Sequence, residues 1–335
     1  MQYTVLGNTG LKISRLGFGG IPIQRIDAEG TKALVKAMLD AGVNYIDTAR
    51  GYTVSEEYLG YALEGAREQF VLATKSMART KEAMAADVAV SLKNLRTDYI
   101  DLYQIHNPSA ADLEKVQQPG GALEALLEAR AAGKIGHIGV TLHSADLFRQ
   151  AVELPWVETI MFPYNIVETQ GEECIRICGE KNIGFIAMKP LAGGAIDDAT
   201  TAIRFIVQNS AVSVVIPGME EAPQIAQNCA AAANTAPLTD EEAAAVESIR
   251  KGLGGQFCRR CNYCAPCTVG IPISANFLME GYYTRYNLKE WAAKRYAGLS
   301  GHASDCIECS VCESRCPYNL PIRQMLKNVA KTFGG

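Results

Sequence analysis

Over roughly the first 250 residues, short apolar runs alternate with longer amphipathic stretches. Eight runs are brief and rich in β-branched or aromatic residues: 15–19, 43–47, 70–75, 99–106, 135–140, 157–164, 184–188 and 212–216. Strands that are apolar along their whole length are buried on both faces, as in a parallel sheet covered by helices. Helical patterns lie between them, such as 31–41, 81–95, 122–132 and 145–152. Eight βα units in about 250 residues is the length of a (β/α)8 TIM barrel. A doubly wound sheet is the alternative, but even spacing favours closure. Residues 2–15 read as a hairpin around Gly7-Asn8-Thr9-Gly10 that precedes the first unit.

A further helix follows. Thr239-Asp-Glu-Glu242 has the form of a capping box, and the helix is expected to run to Lys251 and stop at Gly252. Residues 252–255 are the expected linker, giving a barrel over 1–251 and a second domain over 256–335. In that domain, 273–283, 287–297 and 321–332 read as helices.

The second domain carries eight of the eleven cysteines, in two sets of four. Cys306, Cys309, Cys312 and Cys316, followed by Pro317, have the spacing C-x2-C-x2-C-x3-C-P of a bacterial-type [4Fe–4S] run. Cys258, Cys261, Cys264 and Cys267 form a second run, spaced C-x2-C-x2-C-x2-C. Soft thiolate sulfur suits iron. Zinc competes for CxxC pairs, but a structural zinc site takes two pairs and makes no demand for a terminal Cys-Pro. Disulfides suit short secreted chains. The expectation is a small α-helical, ferredoxin-like module with two 4Fe–4S clusters. Cys174, Cys178 and Cys229 read as small buried residues without a role.

Charge changes the picture little. Residues 256–335 hold ten Lys/Arg against five Asp/Glu, a balance of +5, which leaves −9 for residues 1–255 of the chain's −4. Residues such as Arg259, Arg260, Arg315 and Arg323 offset anionic clusters or form a dock for an acidic electron carrier. No basic–aromatic interleaving points to nucleic acid. The first residues show no apolar signal core, and no apolar run approaches the ~20 residues that cross a bilayer. A soluble protein of a reducing cytoplasm is expected, without a membrane partner, and exposed clusters favour an anaerobe.

Barrel enzymes place reacting groups at the C-terminal ends of strands. Those ends offer Asp47, with Tyr52 in the loop beyond, then Lys75 and His106. Reducing a carbonyl requires a proton for the nascent alkoxide. Free tyrosine, with a pKa near ~10, is a poor acid at pH 7. A neighbouring Lys⁺ favours tyrosinate and improves it, and an aspartate holds that lysine charged and oriented.

The stretches Asp-Thr-Ala-Arg-Gly-Tyr (47–52), Ala-Thr-Lys (73–75) and Tyr-Gln-Ile-His (103–106), with the opening Leu-Gly-x-Thr-Gly-Leu-x-Ile-Ser (6–14) and Ile-Pro-Gly (216–218), resemble the aldo-keto reductase superfamily. The resemblance covers residues 1 to about 250, and the cysteine runs point to a branch with a C-terminal ferredoxin-type domain. It implies Tyr52 as acid, Lys75 and Asp47 as its tuning pair, and His106 as the orienting residue. It also implies a nicotinamide cofactor, and there the sequence departs. Thr141-Leu142 and Met161 stand where the family has a Ser-Asn and a Gln for the carboxamide, and Met188 stands where an aromatic stacks on the ring. Glu220 and Glu221 occupy the loop that takes the 2′-phosphate of NADP. Two carboxylates repel a phosphate, so NADPH is disfavoured. NADH, a flavin, or no dinucleotide all stay open. The remaining scaffold is Gly193-Gly194 for a pyrophosphate, Pro217-Gly218, and Gln224 with Asn228 near an adenine. For Gly193-Gly194 an ordinary strand–helix turn is an equal reading. Glu220 and Glu221 also suit a helix start.

The leading expectation is an oxidoreductase acting on a small-molecule carbonyl or conjugated carbonyl, with electrons passed through the clusters from a ferredoxin or flavoprotein. The alternative is an electron-transfer protein whose barrel is a catalytically quiet docking scaffold. Two-cluster ferredoxins cross their ligands, the fourth Cys of each run binding the other cluster. Likeness to them implies Cys258, Cys261 and Cys264 with Cys316, and Cys306, Cys309 and Cys312 with Cys267.

Overall fold

A computed structural model describes residues 1–334 of the chain. The chain divides into two compact units. Met1–Asn165, Thr169–Pro190 and Asp198–Leu238 make the first; Ile166–Glu168, Leu191–Asp197 and the chain from Thr239 onward make the second.

The first unit opens with β1 (Tyr3–Val5) and β2 (Lys12–Ser14), paired antiparallel around a short 3₁₀ turn. Eight parallel strands follow: β3 (Phe18–Gly19), β4 (Tyr45–Asp47), β5 (Val71–Ser76), β6 (Ile100–His106), β7 (Ile135–Thr141), β8 (Thr159–Pro163), β9 (Gly184–Met188) and β10 (Val214–Ile216). Each pairs with the next in chain order. The last meets the first through bonds from Gly17 N to Val215 O and from Gly19 N to Pro217 O, both 2.9 Å. At this seam a Cβ on Gly17 would lie 2.8 Å from the Tyr45 ring. The ring of strands therefore closes as the even βα spacing predicts.

Among the described residues, nine helices surround the strands: α1 (Ala28–Ala41), α2 (Ser55–Ala62), α3 (Lys81–Asn94), α4 (Ala110–Lys115), α5 (Ala122–Ala131), α6 (Ala145–Ala151), α7 (Glu172–Lys181), α8 (Ala199–Val207) and α9 (Ala222–Ala233). Several start on side-chain caps, among them Asp27, Thr80, Ser144 and Asp198, each accepting a backbone N–H of the first turn. Apolar side chains fill two layers. One lies between strands and helices, with Phe18, Ile46, Leu72 and Met84 fully buried. The other includes Tyr45, Leu102, Met161 and Ile186, packed with Leu6 and Ile13 of the hairpin region.

The second unit contains α10 (Asp240–Leu253), α11 (Ile273–Thr284), α12 (Lys289–Ala297), α13 (Val311–Ser314) and α14 (Ile322–Phe333). Thr239 caps α10 in a capping box with Glu242, as expected. The expected stop at Gly252 is not where α10 ends. The helix passes through that glycine to Leu253, and Gly254 N still donates to Arg250 O at 2.8 Å. A single glycine costs a helix only about 1 kcal/mol, which does not by itself end one. Tyr282 of α11 meets Trp291 of α12 edge-on at 4.9 Å, and Phe333 of α14 stacks on Tyr296 at 3.9 Å. The apolar centre combines Ile271, Phe277, Leu326 and Val329 with Cys264, Cys312 and Cys316. Among the described residues, no helix is long and apolar enough to cross a membrane.

Candidate functional site

Adjacent barrel strands bring Asp47, Lys75 and Gln104 together. Asp47 ends β4, and in the β5–β6 ladder Lys75 stands opposite Gln104. Lys75, only 2% exposed, donates to the Asp47 carboxylate and to Thr48 O at 2.8 Å. Gln104 Nε2 donates to the other carboxylate oxygen at 2.9 Å. Burial pushes the Asp47 carboxyl up and the Lys75 ammonium down, and in each case the partner's charge opposes the shift. Gln104 was not singled out above. Side chains alternate along a strand, so residue 104 shares the face of residue 106, and that periodicity is the signal for it.

The loop after β4 carries Tyr52 and is tied down on both sides. Arg50 N donates to Lys75 O at 3.0 Å, and Tyr52 N donates to Ala49 O at 3.0 Å. The Arg50 guanidinium pairs with Glu56 at 2.8 Å, and Glu56 is 1% exposed. Thr74 and Ser91 hydroxyls donate to Glu56 Oε1 at 2.8 and 2.7 Å. A buried carboxylate needs such partners. The network fixes the backbone that presents Tyr52. The Tyr52 ring meets the His106 imidazole edge-on at 6.2 Å, and Lys75 Nζ lies 5.0 Å from the Tyr52 ring centre. All four expected residues thus share one site. Beside it, His143 Nδ1 bonds Asn107 Oδ1 at 3.0 Å.

Several of the expected dinucleotide positions have other employment. Pro217 O accepts the seam bond from Gly19, and a Cβ on Gly218 would meet Pro22 at 2.6 Å. Gln224 Oε1 accepts Glu220 N at 2.7 Å and Glu221 N at 3.2 Å at the start of α9. Asn228 is buried at 4% exposure. Glu220 pairs with Arg25, so the loop presents less negative charge than its two acids imply. Leu142 and Met161 are buried and apolar, and Thr141 Oγ1 accepts Asn107 N at 3.0 Å. In the second unit, Gly193 and Gly194 adopt φ of +69° and +79°. The N–H groups of Gly194, Ala195 and Ile196 all point to Leu191 O, at 2.9, 3.0 and 3.2 Å.

The cysteine runs come together within the second unit. One cavity is lined by Cys267 of the first run and by Cys306, Cys309 and Cys312 of the second, with Thr268, Ile273 and Leu326 around them. Thr268 Oγ1 lies 3.4 Å from Cys309 Sγ. Among the described residues, no three His, Cys, Asp or Glu side chains gather as closely as one metal ion requires. A cubane is a larger body with its ligands spread around it, so the donor chemistry fits such a cluster. Burial pushes the Cys264 thiol up to about 12, so ligation there must displace a proton. Arg260, next but one to Cys258, pairs with Glu168, which is fully buried. Arg259 lies over the Tyr318 ring at 4.1 Å and donates to Val167 O at 3.2 Å.

Residues 15–201 match the model described as the aldo/keto reductase family, and residues 257–321 match the 4Fe-4S dicluster domain. Aldo-keto reductase YhdN of Bacillus subtilis (strain 168) is 35% identical over 197 residues, 52% of this chain and 57% of its own length. The chain thus spans little more than half of that relative. The oxidoreductase YqkF of the same organism is 26% identical over 306 residues, 75% of this chain and 97% of its own. The holo structure of an aldo-keto reductase from Bacillus halodurans superposes with a TM-score of 0.64 at 24% identity, covering 74% of this chain and 96% of its own, a likeness of fold.

Proposed function

The chain belongs to the aldo/keto reductase family and carries a 4Fe-4S dicluster domain, and from that premise we propose that it is an oxidoreductase acting on a small-molecule carbonyl or conjugated carbonyl. One observation carries this reading: the buried Lys75–Asp47 pair set against Tyr52, with His106 at the ring's edge. Tyr52 gives its phenolic proton to the substrate oxygen, while two electrons from the external ferredoxin or flavoprotein and a second proton from solvent reduce the carbon. The Lys75 charge stabilises the phenolate left behind, while Asp47 and Gln104 hold that charge in place. His106 orients the oxygen.

Cys258, Cys261 and Cys264 with Cys316 would hold one cluster, and Cys306, Cys309 and Cys312 with Cys267 the other. The shared cavity supports the second set. When bound, such clusters supply one-electron carriers. A ferredoxin or flavoprotein is the expected electron partner, and thiolate ligands suit a reducing cytoplasm.

The test is turnover of carbonyl compounds by anaerobically purified protein with a reduced viologen dye. Tyr52→Phe should lose turnover while its iron content stays unchanged. An equally active Tyr52→Phe would sink the proposal. The apolar Leu142 and Met161 favour a second reading, an electron-transfer protein with a quiet barrel. Rapid cluster reduction by ferredoxin, with no carbonyl turned over, would support that one.

A further inference from the structure

Resting on the barrel-oxidoreductase reading, we infer that this chain takes no nicotinamide dinucleotide, NADH included. Most of the residues expected to meet such a ligand are already engaged or offer it no polar side-chain group. A carboxamide brings two N–H donors and an acceptor oxygen that must be paired when buried. In the first unit its expected partners are Leu142 and Met161, which have no polar side-chain atom to offer. Thr141, beside them, spends its hydroxyl oxygen on Asn107 N.

A phosphate is bound by backbone N–H groups that are free to point at it. In the second unit, the turn after Leu191 directs three successive N–H groups, those of Gly194, Ala195 and Ile196, onto the Leu191 carbonyl. The Gly193 carbonyl accepts Arg285 Nε at 3.2 Å, and a Cβ on Gly193 would lie 2.9 Å from the Tyr286 ring. The glycines are explained by left-handed backbone and by that ring, with no phosphate needed. At the adenine end, Gln224 spends its amide oxygen on the two N–H groups that open α9.

The experiment titrates anaerobically purified holoprotein with NADH, NADPH and ADP-ribose, read by calorimetry and, for the first two, by nicotinamide fluorescence. No saturable binding tighter than about 1 mM is expected for any of the three. Saturable binding of either dinucleotide below that limit overturns the inference. ADP-ribose binding alone would overturn it too, by showing that the nucleotide half is still accepted. Tyr286→Ala uncovers Gly193 but leaves the N–H groups bonded to Leu191, so it also should bind none. Binding gained in that variant would show that the ring, not the backbone, excludes the ligand. Viologen-driven turnover and its loss in Tyr52→Phe stand or fall independently of these titrations, so the two readings fail separately.

Discussion

Lys75 Nζ lies 5.0 Å from the centre of the Tyr52 ring and donates to the Asp47 carboxylate on the strand before it. A charge held there acts on the phenol only while the lysine stays protonated and in place. Lys75→Met should therefore lower kcat by about 10²–10⁴-fold, the usual range for acid–base catalysis. Tyr52→Phe should fall at least as far. Viologen-linked kinetics check both, with circular dichroism to confirm folding.

Removing only one member of the pair carries a different penalty. Asp47→Ala strands the Lys75 charge in a site that is 2% exposed. Breaking a buried pair in this way costs about 3–5 kcal/mol. Asp47→Leu with Lys75→Met should recover most of that stability and none of the turnover. Denaturant melts and kinetics on the same three proteins separate the two effects. A double variant as unstable as the single one would contradict the account.

The cysteine runs make a prediction about sharing. Cys316→Ser should disturb the cluster of Cys258, Cys261 and Cys264, not that of its own neighbours. Iron counting, with eight irons expected in the parent protein, and electron paramagnetic resonance of the reduced variant read this out. Damage confined to the cluster of Cys306, Cys309 and Cys312 would show that each run keeps its own. Colourless anaerobic protein with stoichiometric zinc would remove the clusters altogether.

Glu158 gives a pH-dependent contribution to barrel stability. Burial raises its carboxyl, but bonds from His137 and from Ile138 N outweigh this and hold it below its ordinary value of 4.5. The unfolded chain therefore takes up the proton first as pH falls. The stabilisation is present above about pH 4.5 and is lost as pH drops through the lower folded value. Glu158→Gln should cost about 1–2 kcal/mol at pH 7, and the gap to the parent should shrink in acid. Urea melts at pH 7 and below pH 4 test this. A gap that stays constant would refute the linkage.

The barrel strands were legible because strands buried on both faces read as plain apolar runs. Their edges were less so. The run at 99–106 begins one residue late, at Ile100, and Tyr99 is 40% exposed. Catalytic candidates stood at strand ends, where chemistry and pattern agree. Gln104 was hidden beside His106, although two-residue periodicity links them. Glu56 was illegible for a better reason. Glutamate is ordinarily exposed, and only the arrival of Arg50, Thr74 and Ser91 makes its burial tolerable. The employment of Gly193 was equally unreadable, since Tyr286, which explains it, lies far along the chain.

The partner of Arg260 stands 92 residues upstream, and the second unit is assembled from three stretches of chain. Anyone cloning the iron–sulfur portion from Thr239 onward would leave behind Glu168 and the 191–197 turn. The truncated product would keep a guanidinium deprived of its carboxylate and a tyrosine ring deprived of the glycine it rests on. Poor yield or missing iron in such a fragment would reflect where the scissors fell, and would say nothing about the metal-holding capacity of the intact polypeptide.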